Sequence, residues 1–193
     1  LSVAKIIAGI VGRSGAMIAD GVHSISDFVT DIIVIVFIGV SAKGENTRFR
    51  YGHGKFETFA TMLISFALFA VAVGLFWTSF NQIVDALNGK VLPRPEMVAL
   101  VMAFVSVVAK EWLFHYTRVA GEQMNSMALV ANAWHHRSDA FSSIAVLVGI
   151  GCAMFLGERW RVLDPIAAAT VSVFIALVAY RLAMPSIREL LEV

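Results

Sequence analysis

Cysteine is almost absent from this chain, with Cys152 the single one in 193 residues. One thiol makes no internal disulfide, and inside an apolar run it acts as a small hydrophobe. Charge is scarce as well. Lys, Arg, Asp and Glu make up 15% of the residues and the formal net charge is +1. Binding many phosphates needs a concentrated basic surface, and none is visible, which excludes a nucleic-acid partner. No His-Glu-x-x-His sequence occurs, so the zinc-protease helix is missing. Neither a low-complexity tract nor a convincing internal repeat is present. The chain does not begin with Met, and its first apolar run is short, so a preceding segment is expected.

What the chain has in abundance is apolar length. Hydrophobic residues make up 59% and the mean hydropathy is +0.79, well above the roughly 45–50% apolar share of soluble domains. A hydrocarbon core about 30 Å thick takes about 20 residues of helix. Segments 17–40, 59–84, 97–116, 127–156 and 164–184 meet that length, and 1–11 reads as the tail of another span. The expectation is an all-α membrane protein, a six-helix transmembrane bundle with a truncated first span. It forms one domain over 1–193, integral and multi-pass, placed in the cell (inner) membrane.

The polar breaks between spans fall at 12–15, 41–57, 85–96, 118–126 and 157–163. The 41–57 break carries Lys43, Arg48, Arg50 and Lys55 against Glu45 and Glu57. Short loops rich in Lys and Arg stay in the cytoplasm, which sets this break, the 118–126 break and the C-terminal end on that side. Trp77, Trp112, Tyr116 and Trp160 fall toward span ends, where amphipathic aromatics anchor at the interface.

Ionisable residues inside the spans are the informative exceptions. The second span holds Asp20, His23, Ser24, Asp27 and Asp31, spaced by three or four residues and so largely on one helical stripe. A carboxylate facing lipid at the bilayer centre costs about 2.5–3.5 kcal/mol or more, so the stripe must face protein or water. The fifth span answers with Asn132, His135, Ser138, Asp139 and Ser142 at the same spacing. His23 with Asp27, and His135 with Asp139, are i, i+4 pairs. Facing one another they make a four-ligand site for a divalent metal. Imidazole nitrogen and carboxylate oxygen both bind Zn²⁺ at about 2.0–2.2 Å, and two carboxylates offset the charge of a dication held in a low dielectric. The plainer alternative is that these residues are interhelical hydrogen-bonding glue. Two matched pairs in separate spans favour the metal site.

Other polar residues stay open. Asp20 is read either as a cation-attracting group at the extracellular mouth or as a carboxylate meeting headgroup water, and Asp31 has no settled role. Lys110 and Glu111 are read as a membrane-embedded ion pair or as snorkelling side chains, with His115 beside them. His136 and Arg137 project away from the stripe toward neighbouring helices or water.

The segment "ADGVHSISD" in the second span, "ANAWHHRSDAFSSI" in the fifth and "YGHGKFET" between the second and third together resemble the cation diffusion facilitator family over nearly the whole chain. The resemblance implies a six-helix fold, a homodimer, and exchange of cytoplasmic metal for external protons by alternating access. It puts the metal ligands on His23, Asp27, His135 and Asp139. It also implies that Lys55 pairs with Glu192 across the dimer. Many members have Asp where this chain has Asn132. The loop "GENTRFRYGHGK" keeps His53 and Glu45 but too few further ligands for a tight second site. Members usually continue into a cytoplasmic C-terminal domain, which is expected to be absent from this chain.

The expected function is therefore divalent-cation transport, efflux in exchange for protons, with no enzymatic activity. Two nitrogens and two oxygens suit Zn²⁺ as the cargo, with Fe²⁺, Cd²⁺ and Co²⁺ open. Rival readings are an intramembrane metalloenzyme, a haem protein with axial histidines, and a metal-regulated membrane scaffold.

Overall fold

The computed structural model describes residues 1–41, 54–123 and 127–190, without the side chains of residues 30, 31, 33–41, 54–57, 59, 60, 127–132, 135, 189 and 190. Among the described residues there are six α-helices: α1 (Ser2–Val11), α2 (Gly15–Ser41), α3 (Gly54–Leu87), α4 (Met97–Gln123), α5 (Met127–Phe155) and α6 (Leu163–Leu190). A 3₁₀ turn, Glu158–Val162, leads into α6. Four stretches are long and apolar enough to cross a bilayer: Thr61–Leu87, Met97–Gln123, His136–Phe155 and Glu158–Arg188. The all-α, multi-pass architecture expected from composition is the one observed. The helices outrun the apolar segments because polar residues at their ends stay helical. α4, for instance, continues to Gln123 with Arg118 donating to Glu122 at 2.8 Å, one turn on.

Local chemistry fixes the connections at one end of the bundle. Ser14 caps α2, its hydroxyl accepting from the Met17 amide at 3.1 Å and donating to Asp164 at 2.5 Å, while the Gly15 amide donates to the other oxygen of Asp164 at 2.8 Å. The start of α2 is thereby tied to the first turn of α6. The Glu96 amide donates to the Gly12 carbonyl at 2.9 Å, and Arg161 donates to the Leu92 carbonyl at 2.9 Å. α3 ends on Gly89, whose φ of +83° is the left-handed conformation that favours glycine. Pro93 and Pro95 then keep the connection to α4 out of helix.

The interior is built from small residues. Ala16, Ala19, Ala99, Ala103 and Ala168 are buried with Met17, Val146, Ile150, Val171 and Ile175. With no hydrophobic drive between helices in lipid, close packing of small side chains is what brings them together. Gly9 shows how close: a Cβ there would stand 2.7 Å from the backbone nitrogen of Ile18, so α1 and α2 approach backbone to backbone. α1 packs on α2 and α4, α4 on α5, and α3 packs chiefly on α6, which joins the rest through α2 and α5. Phe66, Phe69, Trp77, Phe104, Trp112, Phe141 and Phe174 point outward, the distribution expected where the surrounding medium is hydrocarbon.

Candidate metal centre

The crossing of α2 and α5 brings His23, Asp27 and Asp139 together. One ligand atom from each lies within 4.8 Å of the others. His23 Nδ1 is 3.7 Å from Asp27 Oδ1, and His23 Nε2 is 3.9 Å from Asp139 Oδ1. Ligand bonds of about 2.0–2.2 Å in a tetrahedral shell set ligand atoms roughly 3.3–3.6 Å apart. The two distances run from opposite nitrogens of one ring, and a metal bonds only one of them, so with single ligand atoms within 4.8 Å of one another the side chains must draw in by about an ångström to close the shell.

Electrostatics and hydrogen bonding fit the same reading. His23 is buried and, among the described residues, its Nδ1 has no hydrogen-bond partner, a costly state for a polar atom that a metal bond would relieve. Asp27 and Asp139 bring two negative charges to a partly buried place, which a dication would offset. Two donors hold the Asp139 backbone carbonyl, the Ser142 hydroxyl at 2.8 Å and the Lys110 ammonium at 3.0 Å. They fix the turn of α5 from which the carboxylate projects.

His135 lies on α5 one turn before Asp139, and its side chain is outside the described residues, as are those of Asn132 and Asp31. The loop residues Glu45 and His53, the side chain of Lys55, and Glu192 are outside them too. Three of the four residues expected as ligands are thus brought together.

Asp20 occupies neither of the places considered for it. It is 1% exposed and its Oδ2 lies 2.8 Å from the ammonium of Lys5, itself fully buried. Lys110 turns inward toward Asp20, at 3.7 Å, and does not pair with Glu111, which lies 3.4 Å from His115 on the outer surface. Glu111 and Lys110 are neighbours in sequence and therefore about 100° apart around the helix, so both cannot face one partner. Arg137 lies over the rings of Phe114 and Trp134 at 4.7 and 5.4 Å, on α4 and α5. Lys5 went unnoticed in the sequence reading. The signal was there, a lone lysine in the apolar run "SVAKIIAGIV", since an ionisable residue within a span needs a partner.

Comparison with known proteins agrees with this geometry. The family model described as the cation efflux transmembrane domain matches residues 1–191. Metal tolerance protein C1 of Arabidopsis thaliana is 36% identical over 100% of this chain and 42% of its own length. The manganese efflux system protein MneP of Bacillus subtilis is 34% identical over 100% of this chain and 64% of its own. An uncharacterised transporter of Methanocaldococcus jannaschii is 36% identical over 97% of this chain and 64% of its own. The chain therefore spans between two fifths and two thirds of the length of these relatives.

Proposed function

The chain belongs to the cation efflux family of membrane transporters, and from that premise we propose that it carries a divalent metal cation across the membrane in exchange for protons, with His23, Asp27, His135 and Asp139 as the ligands. The observation that carries this reading is the meeting of His23, Asp27 and Asp139 within 4.8 Å inside the helix bundle. His135, one turn from Asp139, supplies the fourth ligand. Metal takes the neutral imidazole, so an arriving proton competes with the ion for the same nitrogen, and loading one expels the other. An ion moving one way is thereby tied to protons moving the other.

Zn²⁺ is the cargo that two imidazoles and two carboxylates suit best. Manganese is the second candidate, supported by the likeness to a manganese efflux protein and by two carboxylates among the three ligands that meet. A homodimer, with Lys55 of one copy facing Glu192 of the other, completes the proposal. Reversing the charge of Lys55 weakens that dimer in sedimentation, and reversing Glu192 as well restores it.

The decisive experiment is flux in liposomes holding a metal-reporting dye, with zinc and manganese offered separately under an imposed pH gradient. Wild-type protein moves at least one of them and collapses part of the gradient, while Asp139→Asn moves neither. Equal flux in wild type and Asp139→Asn would remove the site from the transport path.

A further inference from the structure

Next to the candidate metal site lies a second charged group that coordination does not use. Asp20 is three residues before His23, hence about 4.5 Å nearer the start of α2. Its carboxylate gathers donors from three other helices. Lys5 of α1 lies 2.8 Å from Oδ2, and Lys110 of α4 lies 3.7 Å from Oδ1. The Ser143 hydroxyl of α5 donates to Oδ1 at 2.9 Å, and the Ser106 hydroxyl of α4 to Oδ2 at 3.4 Å. Lys5 also donates to Ser24 at 2.8 Å, and Lys110 to Ser143 at 2.8 Å. Two ammonium groups against one carboxylate leave a surplus positive charge.

Packing alone gives no reason for such a cluster. Buried ion pairs are often replaceable by apolar residues without loss of stability, because desolvation cancels the attraction. Its position is more telling. Side-chain exposure falls steadily along the site, from 20% at Asp27 through 12% at Asp139 and 8% at His23 to 1% at Asp20. Beyond Asp20, toward residues 12–14, Ala16, Met17, Ala19, Ala99 and Ala103 are at most 1% exposed. The proposed ligands are therefore most accessible on the side of Asp27, and on the other side stand first the charged cluster and then close packing.

We propose that Lys5, Asp20 and Lys110 form the barrier that closes the cation path toward the 12–14 end, and that the cluster parts when an ion leaves by that side. The surplus positive charge is the repelling element, since a dication pushed from the ligands toward this end meets two ammonium groups before any water. Attraction to Asp20 is the latch, because it draws α1 and α4 onto α2. This rests on the transport reading of His23, Asp27 and Asp139.

Lys5→Met removes the surplus charge and leaves Asp20 paired with Lys110. The variant is compared with wild type and Lys5→Arg by three measurements: zinc and manganese entry into liposomes down a metal gradient without a pH gradient, calorimetric metal binding, and hydroxyl-radical oxidation of Met17. Metal entry through Lys5→Met is expected to rise about tenfold over wild type, an effect of the size that a fixed charge exerts on ion passage. Oxidation of Met17, buried beyond the cluster, should rise about threefold as water reaches its thioether. Metal affinity should stay within about twofold, and Lys5→Arg should behave as wild type. Unchanged entry with Met17 still protected overturns the proposal, as does joint loss of affinity and flux, which would make the cluster a packing device. Lys5→Gln keeps a hydrogen-bonding end toward Asp20 and Ser24 without the charge; if Lys5→Met does not fold, it must produce the same leak. Wild-type protein that moves neither metal even under a pH gradient ends the transport reading instead. The barrier then stands or falls on whether Met17 is protected in wild type and oxidised in the lysine variant.

Discussion

His23 offers its two ring nitrogens to two carboxylates on different helices, Nδ1 toward Asp27 and Nε2 toward Asp139. Each aspartate thus supplies charge as well as geometry. Asp27→Asn and Asp139→Asn, which keep the shape and lose the charge, should each weaken zinc binding roughly 100-fold or more by calorimetry. Ser142→Ala, which removes only one of two donors to the Asp139 carbonyl, should stay within about threefold. Proton competition sets the pH dependence. Protons and metal compete for the same imidazole nitrogen, so metal affinity should fall as pH drops. His23→Asp removes one of the two imidazoles, so the fall should be shallower, with His135 carrying what remains. Calorimetry between about pH 5.5 and 7.5 separates the two, and coincident profiles would remove His23 from proton exchange.

The close approach of α1 and α2 brings Lys5 to Asp20. Gly21 sits one residue past Asp20, and a Cβ on it would come 2.7 Å from Ile6 Cγ1 and 3.2 Å from Lys5 Cβ. Gly9 meets backbone, which cannot turn aside as a side-chain end can. Gly9→Ala should therefore push the helices apart and cost about 1–3 kcal/mol, read as a lowered midpoint of thermal unfolding in detergent. Gly21→Ala also meets backbone, the Ile6 nitrogen, but at 3.0 Å and not 2.7 Å, so it should cost somewhat less. Removal of the Ser14 hydroxyl, Ser14→Ala, should cost about 0.5–2 kcal/mol through the lost cap and the abandoned Asp164. The helices themselves were legible in the sequence, because apolar length and i, i+4 spacing are properties of one segment at a time. The pairing of His23 and Asp27 could be read for the same reason. That Asp20 meets Lys5 could not, since it depends on which helix lies against which, and glycine contacts decide that. Of the two readings of Lys110 and Glu111, an ion pair or snorkelling side chains, the ion pair is contradicted, because helical geometry points the two side chains apart.

Across the whole molecule, family membership and the described geometry support the same proposed class of activity. The family model covers residues 1–191 and names cation efflux; the coordinates bring an imidazole and two carboxylates together inside a bundle whose outer face is apolar. Among the described residues three apolar stretches outrun the bilayer: Thr61–Leu87 and Met97–Gln123 have 27 residues each and Glu158–Arg188 has 31. At about 1.5 Å per residue these are roughly 40 Å long or more, against a hydrocarbon core of about 30 Å. Helices of that length must lean or draw the lipid outward around themselves. Lipid thickness then acts as a mechanical load on the bundle. Reconstitution in bilayers of increasing acyl-chain length should change the turnover of metal while leaving its affinity in detergent untouched, because the load acts on helix tilt and not on the ligands.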